Sequence, residues 1–421
     1  MTRLIRMTTF AALVMMQGCN SGVLSQKDEF FKPAKDVSES YPKDKIYPQG
    51  RIFPYTGFSP QKSSYDKKFT MCGPVYNCFD KLLEEAAEIH KKAICTIRVI
   101  YKGKPVTLET FKQEKDFDFQ EIAEFVKKEV AALAGNENIA WWYLTPEELK
   151  SWRKNEIKYL ETVSNAIRET DPLKRPIWMY DPGHRDAKGL GETVKFLDIC
   201  GKGMFTNYSN FKDSRIFCRW SIEQEIEAIK NNNPSAIPIA LPEMFREPAP
   251  EDVKLIPSWV RHDTYSALIT GAKGLAVFSF ANRKNFKSHD IYFQEYVNIA
   301  DELCGELNLG QVFLFGEPRN DISLKITAGP ATLPFLYRNS GMKEPVEFSS
   351  VGIFNAAYKN ERYLFLASSA NVPVSAEISG FPAGQCVIED LFNKKQIDSK
   401  ISPLKLVFEP FEVKCIKLKQ K

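Results

Sequence analysis

Eight short apolar runs recur between residues 52 and 280, each followed by a longer amphipathic stretch, and that rhythm limits the chain more than any single motif. The runs are Ile52–Phe58, Phe69–Gly73, Ala93–Ile100, Ile139–Leu144, Pro176–Tyr180, Leu197–Phe205, Ile237–Met244 and Leu275–Phe280. Between them, Phe79, Leu82, Leu83, Ala86 and Ile89 recur at helical spacing, as do Phe119, Ile122, Val126 and Leu133. Leu149, Trp152, Ile157, Leu160, Val163 and Ile167 form the longest stripe. It ends at Asp171-Pro172, because a proline pushes the residue before it out of the helical region. Strands alternating with crossover helices give a parallel sheet. Eight such units in roughly 250 residues predict an α/β fold, a (β/α)8 TIM barrel over residues 50–307. An open doubly wound sheet is the rival, but it wants a glycine-rich first turn that residues 52–59 do not supply. Beyond residue 308 the texture changes to Glu347–Ala357, Arg362–Ser369, Val374–Ile378, Cys386–Glu389, Leu404–Phe408 and Val413–Leu418. Asn360, Asn371, Gly380, Gly384 and Asn393 punctuate these runs, which predicts a C-terminal antiparallel β-sandwich over 308–421.

The first nineteen residues read as an address. Arg3 and Arg6 precede the apolar run Thr8–Met16, which is too short to span a bilayer and ends at Gln17-Gly18-Cys19. This ending resembles the bacterial lipobox, whose cysteine is lipid-modified and becomes the first residue of the mature protein. The resemblance implies a signal peptide over 1–19, lipidation at Cys19, and a membrane-anchored lipoprotein of the bacterial cell envelope. A plain secretory leader is the alternative. Residues 20–49 are polar and lack apolar periodicity, as a tether would be. An exported chain is permitted disulfides, and Cys72 and Cys78 are the nearest pair; buried thiols are the other reading.

Composition removes several function classes. Lysine and arginine (57) nearly balance aspartate and glutamate (53), and no basic stripe carries interleaved aromatics, which argues against a nucleic-acid partner. The four histidines are scattered, and no metal-ligand spacing, phosphate loop, complete dinucleotide fingerprint or nucleophile elbow occurs. The expectation is chemistry without metal or cofactor.

In a barrel the working residues follow the C-terminal ends of the strands. Two acidic sites stand out there: Glu147 in Thr145-Pro146-Glu147-Glu148 after strand four, and Glu243 in Leu241-Pro242-Glu243 at the end of strand seven. Paired carboxyls facing one mouth are what glycoside hydrolysis requires, one to protonate the leaving oxygen and one to attack the anomeric carbon. Thr145, Pro146 and Glu148 also read as the cap, first residue and capping-box partner of a helix, which leaves Glu147 free for acid/base work. For Glu243 the competing reading is a buried ion pair with Arg246 or Arg261.

The stretches Ala140–Leu144, Asp171–Pro176, Asp198–Tyr208 and Arg261–Gly274 resemble the large clan of retaining (β/α)8 glycoside hydrolases, beta-galactosidase-like members in particular. The resemblance implies an exported hydrolase with Glu147 as acid/base, Glu243 as nucleophile and a carbohydrate substrate. The clan's usual Asn-Glu at the first site is replaced here by Pro146-Glu147. Candidate sugar-binding residues follow the strands: Tyr180, Asp181 and His184 after the fifth, Asn207 and Tyr208 after the sixth, Asn282 after the eighth, with Trp142 and Phe278 as stacking faces. The Tyr208 hydroxyl is expected to donate to the nucleophile. Two rivals remain: a non-catalytic glycan-binding lipoprotein on the same scaffold, and an amidase or esterase using a serine or cysteine paired with a histidine.

Overall fold

A computed structural model describes residues 26–33, 52–59, 65, 68–76, 79–400 and 402–421. The leader, Cys19 and Cys78 lie outside the described residues. Eight strands form one sheet: β1 (Tyr55–Gly57), β2 (Met71–Cys72), β3 (Lys92–Arg98), β4 (Ile139–Thr145), β5 (Ile177–Asp181), β6 (Ile199–Met204), β7 (Ile237–Pro242) and β8 (Leu275–Val277). Neighbours in the sheet follow chain order, β1 pairs with β8 in parallel, and a single bridge between Gly57 and Gly73 joins β1 to β2. The sheet therefore closes into a barrel, and the doubly wound alternative, which needs a reversal of strand order, is excluded.

The expected apolar stripes lie on α2 (Phe79–Glu88), α3 (Phe119–Leu133) and α4 (Lys154–Thr170), the last without Leu149 and Trp152; α5 (Ile216–Asn232) and α6 (Ile256–Thr270) continue the ring, with α7 (His289–Cys304) after β8. An additional helix, α1 (Gln26–Phe31), lies inside the stretch read as a tether. Phe31 is buried against the C-terminal domain, and the Arg362 guanidinium donates to the Phe30 carbonyl at 2.7 Å, so this part of the segment is docked.

Barrel strands are buried on both faces, which is why β4 reads as an unbroken apolar run. Side chains alternate between the barrel interior and the helix layer. Trp178 and Tyr180 of β5 point inward, and Gly201 and Gly203 of the neighbouring β6 make room for them. A Cβ on Gly201 would lie 2.8 Å from the Trp178 ring, and one on Gly203 would lie 2.7 Å from the Tyr180 ring. Large on one strand against nothing on the next fills the interior without voids.

The C-terminal domain is built from β9 (Ser323–Ala328), β10 (Thr332–Phe335), β11 (Val346–Ser349), β12 (Val351–Tyr358), β13 (Glu361–Ser368), β14 (Val374–Ser379), β15 (Cys386–Asp390), β16 (Lys395–Ile397), β17 (Leu404–Phe408) and β18 (Val413–Gln420). The larger sheet runs β12-β13-β18-β15-β16 with Glu317–Pro318 at its edge, and the smaller runs β9-β14-β17. Leu364, Leu366, Ala376, Ile378, Ile388, Phe408 and Ile416 share the core of this domain. Aromatic contacts help to fix it to the barrel. Phe365 lies 4.2 Å from Phe313 and 6.4 Å from Tyr265 of α6, and the β10–β11 hairpin sets Phe335, with Tyr337, against Phe217 and Trp220 of α5. Trp220 is thus interface packing.

Gly203→Ala tests the interior packing. Forcing a methyl against the Tyr180 ring is expected to lower stability by roughly 1–3 kcal/mol in denaturant unfolding; an unchanged midpoint would refute the complementarity.

Candidate active site

The turn after β4 is not the expected helix start. Residues 146–153 form no helix, α4 begins at Lys154, and Glu148 takes a left-handed backbone (φ 60°). The turn is clamped from outside instead: the buried Arg185 guanidinium donates to the Glu148 carbonyl at 2.7 Å and also to the Leu149 carbonyl. Arginine satisfies carbonyls that a helix would have used, so the capping box never forms and no helix dipole acts on Glu147. Glu147 instead receives two phenols. The Tyr76 hydroxyl donates to Oε1 at 2.8 Å, and the Tyr143 hydroxyl donates to the same oxygen. This leaves Oε2 as the oxygen available for a transferable proton. Burial pushes the Glu147 carboxyl up to about 7, opposed by the Tyr76 hydrogen bond and assisted by Glu148. Glu147 borders a cleft of about 260 Å³ with Tyr76, Arg98, Thr107, Thr145 and Pro146.

Glu243 continues β7 by one residue and bridges in parallel to Phe278. It is buried, and its Oε2 accepts the Tyr208 backbone N–H at 3.0 Å while Oε1 has no hydrogen-bond partner among the described residues. Burial pushes this carboxyl up to about 7 as well; the Tyr208 N–H, Arg215 and Arg246 favour the anion, and Asp263 opposes it. The ion-pair reading of Glu243 does not hold. Arg261 pairs with Glu295 and Glu302, and the Arg246 Nη1 donates to the Tyr208 carbonyl at 3.3 Å.

Aromatic rings join the two acids across the mouth. Phe58 lies 5.9 Å from Tyr76, 5.7 Å from Tyr143 and 5.0 Å from Phe278, the backbone partner of Glu243. Phe278 in turn meets Phe205 and Phe245 at 5.7 Å each, and Phe205 stacks on Tyr180 at 5.8 Å. Tyr180 and Phe278 are therefore mouth residues, as is the exposed Asn282 on the loop after β8.

Other candidates lie elsewhere. Trp142 faces the helix layer, where its indole N–H donates to Asp171 at 2.8 Å beneath the Arg175 guanidinium. Asp181 is one residue out of phase with Tyr180 and so also faces the helices, where it meets Lys202, Cys200 and Glu225 of α5. Burial pushes both carboxyls up and Lys202 down, and Lys202 supplies the positive charge for the cluster. Tyr208 acts through its backbone, and its ring is 60% exposed. His184 is exposed on the loop after β5. The Asn207 amide is used by the scaffold, donating to Tyr292 at 3.3 Å and accepting from Arg215 at 3.0 Å.

Two features had weak sequence signals. Tyr76 follows β2, the shortest and least apolar run. The other is a buried network: Arg215 Nε donates to Asp263 Oδ1 at 2.7 Å, Thr206 donates to Oδ2 at 3.0 Å, and His262 lies 2.9 Å from both Asp263 and Ser369. Burial would raise the Asp263 carboxyl, but Arg215 and His262 hold it well below the usual range. The Ser369, His262 and Asp263 set has the connectivity of a nucleophilic triad. All three are buried where the C-terminal domain meets the barrel and none borders the cleft beside Glu147, so they lock the two domains together.

No family model matches the chain, and no curated protein matches it. Solved structures do share its fold. The alpha-amylase of Geobacillus thermoleovorans, solved with acarbose, aligns at a TM-score of 0.51 and 9% identity over 88% of this chain and 97% of that one. A family 39 glycoside hydrolase from Bacteroides cellulosilyticus aligns at 0.52 and 9% identity over 88% and 81%. AmyP in complex with maltose aligns at 0.51 and 11% identity over 87% and 85%. Barrel and trailing β-domain are shared; at this identity the similarity is one of fold.

A folded-state carboxyl near 7 keeps a proton that the unfolded chain has already released. Stability therefore falls as pH rises from about 4.5, the ordinary glutamate value, through 7. Glu243→Gln removes that loss. Its melting temperature is expected to match the parent at pH 5 and exceed it at pH 8; the same difference at both pH values would contradict the burial of this charge.

Proposed function

We propose that this protein is an exported glycoside hydrolase acting by a retaining two-carboxylate mechanism. The observation that carries this reading is the matched state of Glu147 and Glu243. Each follows a strand at the C-terminal end of a barrel, each is shifted by burial to about 7, and each has one oxygen held and one uncommitted. Near neutral pH the pair readily carries one proton, which is the state the reaction needs. Glu147 donates that proton from Oε2 to the glycosidic oxygen. Glu243 attacks the anomeric carbon through Oε1, whose lack of a hydrogen bond leaves it poorly solvated and reactive. Glu147, now ionised and steadied by the Tyr76 and Tyr143 hydroxyls, then takes a proton from the water that releases the sugar. The aromatic floor suits stacking against sugar C–H faces. The similarity in fold to an amylase, a family 39 hydrolase and a maltose-bound protein is consistent with a carbohydrate substrate.

Glu243→Gln is expected to abolish turnover of an activated aryl glycoside while the circular dichroism spectrum stays native. Glu147→Gln is expected to lose about 10²–10⁴-fold on glycosides with poor leaving groups. Product of unchanged anomeric configuration supports retention, and undiminished turnover in Glu243→Gln removes the mechanism. The competing reading is a glycan-binding protein, which the Pro146-Glu147 departure from the clan pattern favours; glycan binding without any product would select it.

Export rests on the leader and Cys19. Cys19→Ser is expected to abolish incorporation of a labelled fatty acid and release the protein from the membrane fraction; retention of the label would refute the lipobox.

A further inference from the structure

Arg153, Arg175, Arg215, Arg261 and Arg362 are each paired with a carboxylate. Two arginines at the mouth are not. Arg283, on the loop after β8, and Arg246, on the loop after β7, have no carboxylate partner among the described residues. Glu247, beside Arg246, is turned away and accepts the Ser288 N–H and hydroxyl at 2.9 Å each.

The placement of Arg283 is specific. Its guanidinium lies 5.4 Å from the Phe245 ring and 5.5 Å from the Phe278 ring, and its charge is felt at Tyr76, the phenol that holds Glu147. It thus spans the ring chain between the two acids. One Nη donates to Ser279 at 3.3 Å, which restrains the head group without neutralising it. Arg246 lies 6.0 Å over the Tyr208 ring, and its charge acts on Glu243. Arg98 borders the cleft beside Glu147. Arg283 and Arg246 are both exposed, and a guanidinium beside aromatic rings presents its remaining N–H donors as a rigid fork suited to a planar or tetrahedral oxyanion.

We propose that the glycan bound at this mouth is anionic, carrying a carboxylate or a sulfate ester that Arg283 grips and Arg246 supports. The proposal rests on the reading of the barrel mouth as a glycan site and names the substrate class. A sugar lying on the Phe278 and Phe245 floor would place an equatorial anion within reach of the fork, while its anomeric carbon faces the two glutamates.

The test is calorimetric titration of the full chain, as wild type and as Glu243→Gln, with two probes. A hyaluronan oligosaccharide carries only carboxylates and is compared with its carboxyl-reduced form. A carrageenan oligosaccharide carries only sulfates and is compared with its desulfated form. At least one anionic probe is expected to bind 10-fold or more tightly than its neutral counterpart. Arg283→Gln is expected to cut that ratio about 10-fold, and Lys325→Gln, a charge control on the exposed face of the C-terminal domain, to leave it intact. Which probe shows the preference distinguishes carboxylate from sulfate. Equal binding of anionic and neutral forms, no binding of either anionic probe, or a preference that survives Arg283→Gln overturns the proposal. Arg283-dependent binding without any product upholds it and sinks the hydrolase reading. Cleavage confined to neutral glycans does the reverse.

Discussion

Arg215 and Asp263 form a buried ion pair on which three parts of the molecule converge. Removing both charges from water costs several kcal/mol per ion, and only a well-formed set of hydrogen bonds offsets it. Here the set is complete: the guanidinium fork meets both carboxylate oxygens, and Thr206, Asn207 and His262 take up remaining positions. Arg215 opens α5, Asp263 sits within α6, and Ser369 carries the chain of contacts into the C-terminal domain. The loop leaving β6 is consequently held on three sides. That loop carries Asn207 and Tyr208, and the Tyr208 N–H donates to the Glu243 carboxylate. The Asn207 side chain of this loop is thus spent on the scaffold, and the Tyr208 N–H on Glu243.

Burial governs the chemistry of both acids. A glutamate in water is ionised at neutral pH and has little to donate. Burial takes solvation from the charged form of Glu147 and Glu243, and both carboxyls move up to about 7. What separates them is the kind of neighbour. Glu147 has phenols, whose donated hydrogen bonds favour its anion against the effect of burial. Glu243 has a backbone N–H and two nearby arginine charges, which favour its anion.

The barrel was legible because its signal is repeated. Each strand such as Ile139–Leu144 is buried on both faces and reads as a continuous apolar run, and each helix carries one apolar stripe at a fixed period. The C-terminal strands from Val351 onward were legible for the same reason. Strands Ser323–Ala328 and Thr332–Phe335 were not, because they lie at the margin of that domain and expose much of their length. The turn after β4 was misread for a tertiary reason. Thr145, Pro146 and Glu148 have every local qualification for a helix start, and Arg185, distant in sequence, imposes a different path through the carbonyls it binds. The error at Asp181 and Trp142 was one of phase: each is a single residue from a mouth-facing neighbour, and a strand turns alternate residues to opposite faces.

From the sequence alone came the alternation that dictates a closed barrel, the acids after strands four and seven, and the lipobox-like leader. These are local properties, written in the spacing of apolar residues and in short contiguous motifs. Only the tertiary structure decided which side chains share the mouth. The meeting of Tyr76 with Glu147 and of the Tyr208 N–H with Glu243 depends on the lateral order of the strands, and that of Phe58 with Phe278 on closure of the sheet. Closure brings together segments some two hundred residues apart, and no spacing rule in the chain encodes that proximity.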